Sequence, residues 1–453
     1  MKIKLSWRNI IVAATLPAVM EVVWQLYNTY VPIYLQAGNP NFTKTGAETL
    51  GFGLGPALTG LILVLDNIAG LFISPLVGAW SDSLRTRWGR RMPFILICFP
   101  IAVVAFIFIP VIPRLIKPEL NGQTGQLTGL LVPFILSLIV VLLAYAVVRP
   151  IADVFMFDIT PSKHRATANG IGGAIAGLLV VMAALGGASL YDVYGPLPFW
   201  IAAGLSLLIM FMAWSWIKEP EELASASDLA GEKFNLRGIV KFLANQPKEN
   251  ARSLIFLLLS NLLGYVALAQ LQAFLTSYGV FGLGMKESSA AMLVAIPAIS
   301  FMIVAIPAGI ISNKVGRKTT QLVGLIGYAV GSLVIFLFPS TTMLSVGLVI
   351  CGLTWPLANV VQVAMILDCA PVETLMGTYT GLRQIAVTLG FIIGPVLGGS
   401  LVQAMGNNYR WVWLIMVVFL VLAALALLPV TMGEAKTESE EAEAEPVAGA
   451  AAS

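Results

Sequence analysis

An all-α membrane protein of twelve transmembrane helices, arranged as two pseudo-symmetric six-helix bundles, is the fold class this sequence predicts. Three observations carry it. Of 453 residues, 58% are hydrophobic and only 11% charged, and the mean hydropathy is +0.89. Soluble domains run near a quarter charged, so lipid has to cover much of the apolar excess. Twelve runs also reach the roughly 20 apolar residues that a spanning helix needs. Finally, basic residues favour alternate loops between those runs.

The first run, 9–36, follows a basic start that could open a signal peptide (MKIKLSWRN). No small-residue cleavage site follows, and the apolar pattern continues through Glu21, Trp24 and Tyr27 to Leu35, so it reads as a retained span. Runs at 55–80, 93–113, 128–158, 168–190 and 197–217 complete a first bundle, residues 1–217. A polar central loop, 218–253, contains FNLRGIVKFL, whose basic and apolar residues suit a short helix at the membrane interface. Runs at 254–280, 288–312, 320–339, 343–368, 377–404 and 411–432 build the second bundle, 254–433. The acidic, low-complexity tail 434–453 has nothing to bury and reads as disordered.

Charge placement tests the count. Loops on the side of the N-terminus hold Lys2, Lys4, Arg8, an arginine cluster, Lys163, Arg165, the basic residues of the central loop, Lys314, Arg317 and Lys318. The other side has Lys44, Arg114, Lys117, Lys286 and Arg410. The positive-inside rule then places both termini in the cytoplasm of a cell membrane. Cys98, Cys351 and Cys369 lie in or beside apolar runs and His164 has no ligand cluster, so no disulfide framework, metal site or cofactor is expected. No nucleophile–base pair appears either, so the chain reads as a non-enzyme. A net charge of +3 points to no nucleic-acid partner; the partners expected are the bilayer and a small solute, with the monomer as the working unit.

The halves repeat each other. Gly78-x-x-x-Asp82 with Arg87-x-Gly89-Arg90-Arg91 follows the second run, and Gly309-x-x-x-Asn313-Lys-x-Gly316-Arg317-Lys318 follows the eighth. The fourth and tenth runs end Asp158-x-x-Pro and Asp368-x-x-Pro. Repeated six-helix halves with a site between them are the architecture of a secondary transporter. These loops resemble the cytoplasmic motif of the major facilitator superfamily. Ser81-Asp82 with Arg87-x-Gly89-Arg90-Arg91-x-Pro93-Phe94-Ile95 resembles the sucrose–proton symporter branch, related to the glycoside–pentoside–hexuronide transporters; that branch usually has a basic residue at Met92. Asp158-Ile-Thr with Arg165 and Ala168-Asn169 adds to the likeness. The resemblance implies proton-coupled uptake of a sugar of disaccharide size, such as sucrose or maltose. It also implies that Asp82, Arg87, Gly89, Arg90, Arg91, Gly309, Asn313, Gly316, Arg317 and Lys318 form a gate that latches the cytoplasmic face while the outward state is occupied. By its depth, Asp158 belongs with them. Arginines there can also bond to helix-end carbonyls.

Polar side chains inside spans are expensive and mark function. Glu21, Gln25 and Asn28 share one face of the first span, with Trp24 beside them. Amides and an indole suit a sugar, whose hydroxyls take hydrogen bonds while its C–H faces stack on rings. Asp66 and Asn67 sit midway along the second span; Arg149 and Asp153, four apart on the fourth, can touch. One cation among Glu21, Asp66 and Asp153 can keep one carboxylate charged while a drier one holds a proton. Glu21 or Asp66 is the expected proton carrier, with Arg149 as its partner. In the second half Asn261 and Gln270, then Trp355, Asn359 and Gln362, and Gln384 beside Arg383, are the expected substrate contacts. The acid of plant sucrose carriers on the fourth helix has no counterpart in LSLIVVLLAYAVV. Gly70 and Ser74 stand where melibiose-type relatives pair two aspartates, which favours a proton over sodium. The alternative reading is a proton antiporter exporting a drug-like solute, suggested by Gly381-x8-Gly390-x3-Gly394-Pro395-x2-Gly398-Gly399. Such a run also serves close helix packing, and an exporter of apolar drugs should line its cavity with aromatics and methionines rather than amides.

Overall fold

The computed structural model describes residues 6–84, 86–161, 164–218, 248–369 and 376–433, without the side chains of residues 79, 82, 83, 165, 166, 248, 376 and 377. The interfacial helix expected near 234–243 and the acidic tail lie outside the described residues. The helices are α1 (Trp7–Gln36), α2 (Pro56–Leu63 continuing as Leu65–Ser83), α3 (Met92–Phe108), α4 (Thr128–Asp158), α5 (Arg165–Val193) and α6 (Leu197–Trp216). The second half holds α7 (Lys248–Ser277), α8 (Glu287–Met292 continuing as Ala295–Val315), α9 (Arg317–Leu337), α10 (Thr341–Asp368), α11 (Met376–Ala404) and α12 (Arg410–Leu427). All twelve are long and apolar enough to cross a membrane. In lipid each backbone must satisfy its own hydrogen bonds, so an apolar run of this length has helix as its solution.

Three boundaries depart from the sequence reading. α7 starts at Lys248 rather than 254, because a polar first turn can project beyond hydrocarbon and still be helical. α2 is interrupted at Val64 (φ −96°, ψ −3°), so Asp66 and Asn67 fall in the first turn of a second piece instead of mid-helix. The two pieces serve different neighbours: the first packs on α11 of the other half, the second on α4 of its own. α8 breaks at 293–294 in the same way, its short first piece leaning on α5 and its long piece on α10.

The glycine–proline run of α11 is a packing device. A Cβ at Gly390 would stand 2.7 Å from the Cβ of Tyr265, and at Gly394 2.6 Å from the carbonyl oxygen of Val266. At Gly398 it would stand 3.1 Å from Cγ of Gln270. α11 therefore lies backbone-close along α7, as small residues allow in membrane bundles.

Both copies of the charged loop turn on a glycine with positive φ, Gly89 (+99°) and Gly316 (+94°), a conformation that L side chains rarely adopt. Polar contacts gather at the end of the bundle away from the termini and join the halves there. Gln36 of α1 donates to Ser277 Oγ (3.3 Å) and accepts from Tyr409 at the start of α12. The amide of Thr49 donates to Glu287 Oε1 (2.8 Å), that of Gly46 to the carbonyl of Val280 (3.1 Å), and that of Ala57 to Gln403 Oε1 (3.1 Å). Lys286 lies 3.1 Å from Asp192 and 3.3 Å from Glu48. Beneath this seal Tyr27, Tyr30 and Tyr34 of α1 are fully buried, and Tyr30 stacks on Tyr191 at 4.2 Å. Towards the termini, exposure returns along α1 at Gln25, Glu21 and Pro17. The two halves are thus tied together at the far end, and partial exposure along α1 marks a cleft on the side of the termini.

Candidate functional site

Glu21 stands fourteen residues after Trp7 and fifteen before Gln36, the midpoint of α1. Its carboxylate accepts from Arg149 Nη2, an ion pair that bridges α1 and α4. Both side chains keep contact with the cleft, 31% exposed for Glu21 and 43% for Arg149. Arg149 turns to Glu21 and not to Asp153, which is exposed and forms no ion pair among the described residues. A guanidinium therefore has one carboxylate in hand and a second one turn away.

Aromatic rings frame the pair. Trp24 stacks on Tyr27 (5.2 Å, 9°) and on Tyr145 (6.4 Å, 26°), while the Tyr145 hydroxyl donates to the carbonyl of Met20 (3.0 Å). Gln25 Nε2 donates along its own helix to Thr29 Oγ1 (2.8 Å), leaving its carbonyl oxygen for other work. Asn67 Nδ2 donates to Asp66 Oδ1 (2.8 Å), which holds the carboxylate by its neighbour rather than by a cation. Asn28 of α1 is half-buried.

The second half assembles a counterpart without a carboxylate. Tyr265 donates its hydroxyl proton to Asn359 Oδ1 (2.8 Å) and accepts from Arg383 Nη2 (3.2 Å), which also reaches Asn359 Oδ1 at 3.5 Å. Trp355 meets Tyr265 edge-on (5.4 Å, 83°). Asn261 Nδ2 donates to the carbonyl of Arg383 (3.5 Å). So Asn261, Trp355 and Asn359 are brought together, with Tyr265 and Arg383 as members that the substrate set read from sequence leaves out. Gln270, Gln362 and Gln384 are elsewhere. Gln270 is fully buried in the α7–α11 seam with neither polar atom partnered, Gln362 is buried, and Gln384 is exposed. A repeat in the sequence relates the two clusters without reaching Tyr265 or Arg383: Tyr145-x3-Arg149-x8-Asp158 in α4 matches Trp355-x3-Asn359-x8-Asp368 in α10. An aromatic and a polar residue one turn apart recur at the same distance from the helix end.

The charged loops tie down their own halves. Asp158 Oδ2 accepts from Arg90 Nη2 (2.9 Å) and Arg91 Nε (3.1 Å), and Arg91 also bonds to Ser81. Arg317 pairs with Asp368 in the equivalent place and donates to the carbonyl of Gly433 (3.2 Å). Lys318 Nζ caps the end of α12 through the carbonyls of Leu428 (2.8 Å) and Val430 (2.7 Å). Ser81 Oγ bonds to the carbonyl of Gly78 (2.9 Å) and Ser312 Oγ to that of Gly309 (2.7 Å), a repeated turn. Arg87 lies over the Trp88 ring (4.8 Å) and Asn313 is exposed. The Asp82 side chain lies outside the described residues.

Comparison with known proteins agrees with this architecture. The Major Facilitator Superfamily model matches residues 13–374 and 283–451. Sucrose transport protein SUC3 of Arabidopsis thaliana is 27% identical over 169 residues, 36% of this chain and 26% of that protein. Proton-associated sugar transporter A of Homo sapiens is 46% identical over 48 residues, 11% of this chain and 6% of that protein. The chain thus matches about a quarter or less of the length of these curated relatives. Among solved structures, a bacterial homologue of the human lysosomal transporter Spinster, in an inward-facing conformation, superposes with TM-score 0.67 at 18% identity, covering 93% of this chain and 96% of that one. A D-xylose–proton symporter gives TM-score 0.65 at 16% identity, covering 94% and 98%. The chain belongs to the Major Facilitator Superfamily, whose members are membrane transporters rather than enzymes.

Proposed function

We propose that the chain takes up a sugar together with a proton, by alternating access around the cleft between its halves. Both termini face the cytoplasm, as the loop charges favour, and the monomer in a cell membrane is the working unit. The Glu21–Arg149 pair carries this reading. A proton entering the cleft neutralises Glu21 and releases Arg149, and Asp153, one helical turn away, is there to receive the guanidinium. The charge between α1 and α4 then changes with the state of the transporter, which is how a proton gradient acquires leverage on a conformational equilibrium. Asp66, held by Asn67, is the second acid that the cleft can titrate.

The sugar reading rests on Trp24, Tyr145, Tyr265 and Trp355 as stacking surfaces beside the amides of Gln25, Asn28, Asn67, Asn261 and Asn359. The names of the sucrose transport relatives support a disaccharide, with sucrose and maltose as candidates. The test is purified protein in proteoliposomes, acid outside, offered labelled sucrose, maltose and monosaccharides. Accumulation above the equilibrium level, abolished by a protonophore and indifferent to sodium, is expected. Uptake that ignores the pH gradient, or no uptake of any sugar, would refute the proposal.

A further inference from the structure

Arg383 differs from Arg149, the cation at the centre of the first half. Arg149 has Glu21 in contact and Asp153 one turn away. Arg383 has no carboxylate within 4.0 Å among the described residues. Its partners are neutral, the Tyr265 hydroxyl and the Asn359 carbonyl oxygen. Arg383 lies five residues into its own span, Thr378–Ala404, and its guanidinium reaches inward to Tyr265, which is sixteen residues from Glu249 and seventeen from Gly282, the middle of the α7 span.

The neutral partners orient the guanidinium rather than neutralise it. Tyr265 spends its proton on Asn359, so towards Arg383 it can only accept. Asn261 fixes the backbone carbonyl of Arg383, and the ring of Tyr265 lies under the guanidinium at 6.0 Å. Nε is buried without a partner and Nη2 is occupied. The side chain as a whole is half-buried, which leaves the Nη1 edge for the cleft. A cation at membrane depth is costly unless something pairs with it, and the planar fork of a guanidinium matches an oxyanion best. Across the cleft the first half carries three carboxylates, Glu21, Asp66 and Asp153, against one arginine. That wall repels an anionic group and this one attracts it.

We infer that the solute is an anionic sugar whose oxyanion docks on Arg383, with Tyr265 and Asn359 positioning the guanidinium and Trp355 flanking the ring. This rests on the sugar-uptake reading and narrows its cargo from neutral sucrose or maltose to an acidic sugar. A sugar carboxylate and a sugar phosphate share the chemistry required.

The test uses maltose, its 6′-carboxylate and its 6′-phosphate, with methyl glucoside, methyl glucuronide and glucose 6-phosphate as a shorter series. Binding is read by tryptophan fluorescence of the purified protein and uptake in proteoliposomes. One anionic member is expected to bind about 10- to 100-fold more tightly than its neutral parent, the gain of one hydrogen-bonded charge pair. Carboxylate and phosphate arms identify which oxyanion is taken. Arg383→Gln should bring the ratio of anionic to neutral binding to about one, whatever it does to both affinities, and Arg383→Lys should retain part of the preference. Neutral sugars transported with their acids excluded would overturn this inference and leave the sugar reading standing. An acid preference undiminished in Arg383→Gln would overturn the assignment to Arg383. If no member of either series is bound or carried, both readings fall.

Discussion

Replacing Glu21 by glutamine removes the titratable oxygen from the centre of α1 while keeping shape. Breaking a fully buried ion pair by removing one partner costs about 3–5 kcal/mol. Here the side chains keep 31% and 43% exposure, and solvent screening brings the figure down to about 1–2 kcal/mol. Asp153 is placed to take over Arg149, which lowers it further. The variant should therefore fold and lose only a few degrees of thermal stability. Transport should change far more. One pH unit supplies about 1.4 kcal/mol per proton, enough for about tenfold accumulation with one proton per sugar. Glu21→Gln should hold the internal sugar at the external concentration whatever the gradient. Exchange of labelled for unlabelled sugar, which needs no net proton movement, should persist. Internal and external sugar measured at imposed gradients of one and two units is the assay. If Glu21→Gln still concentrates sugar about tenfold per unit, the pair is a structural tie and the reasoning fails. Loss of accumulation in Asp66→Asn but not in Glu21→Gln would move the role to Asp66.

Asp158→Asn removes one oxygen that serves two arginines at about 10% exposure, so it should lower the melting temperature more than Asp368→Asn, whose carboxylate is 41% exposed; equal shifts in detergent-solubilised protein would contradict the packing described. Gly394→Leu forces a side chain against the backbone of α7, where even a Cβ would stand 2.6 Å from the Val266 oxygen, and should cost about 1–3 kcal/mol, with Gly394→Ala intermediate in a thermal melt. Hydrogen bonds to Asp192 and then Glu48 raise the pKa of Lys286 above its ordinary value. A cation with a raised value gives its full contribution below its unfolded pKa and loses it only as pH climbs through the folded one. Between pH 6 and 9 the Lys286 contribution to the seal should therefore be constant. Lys286→Met should raise the reactivity of a cysteine placed at position 49 towards an impermeant maleimide throughout that range, and an effect confined to its acidic end would refute the assignment.

Much of this architecture can be read from residues alone. Hydropathy finds the twelve helices because lipid imposes one solution on a long apolar run, and the paired glycines of the charged loops mark two turns that only glycine makes easily. Glu21 and Arg149 stand out as ionisable groups where charge is expensive. Their pairing is one of three left open, because Asp66 and Asp153 compete for Arg149 on paper and only the approach of α1 to α4 selects Glu21. The interruption at Val64 is invisible, since an apolar residue among apolar residues carries no signal and the cause is the demand of two neighbours. Gln270 misleads for the same reason. A helix surrounded by other helices has no solvent side, so a polar residue can face a seam as readily as a cleft. Tyr265 is hidden among other apolar-looking rings until Asn359 and Arg383 are seen to converge on it.

The repeat of Tyr145, Arg149 and Asp158 by Trp355, Asn359 and Asp368 has a consequence for how such a machine can diversify. A cation stands in one copy where an amide stands in the other, so on the proposed function the driving ion acts on the first wall alone while both walls touch the cargo. On that proposal, changes around position 359 would retune what is carried without touching what drives it, whereas changes at position 149 would touch both.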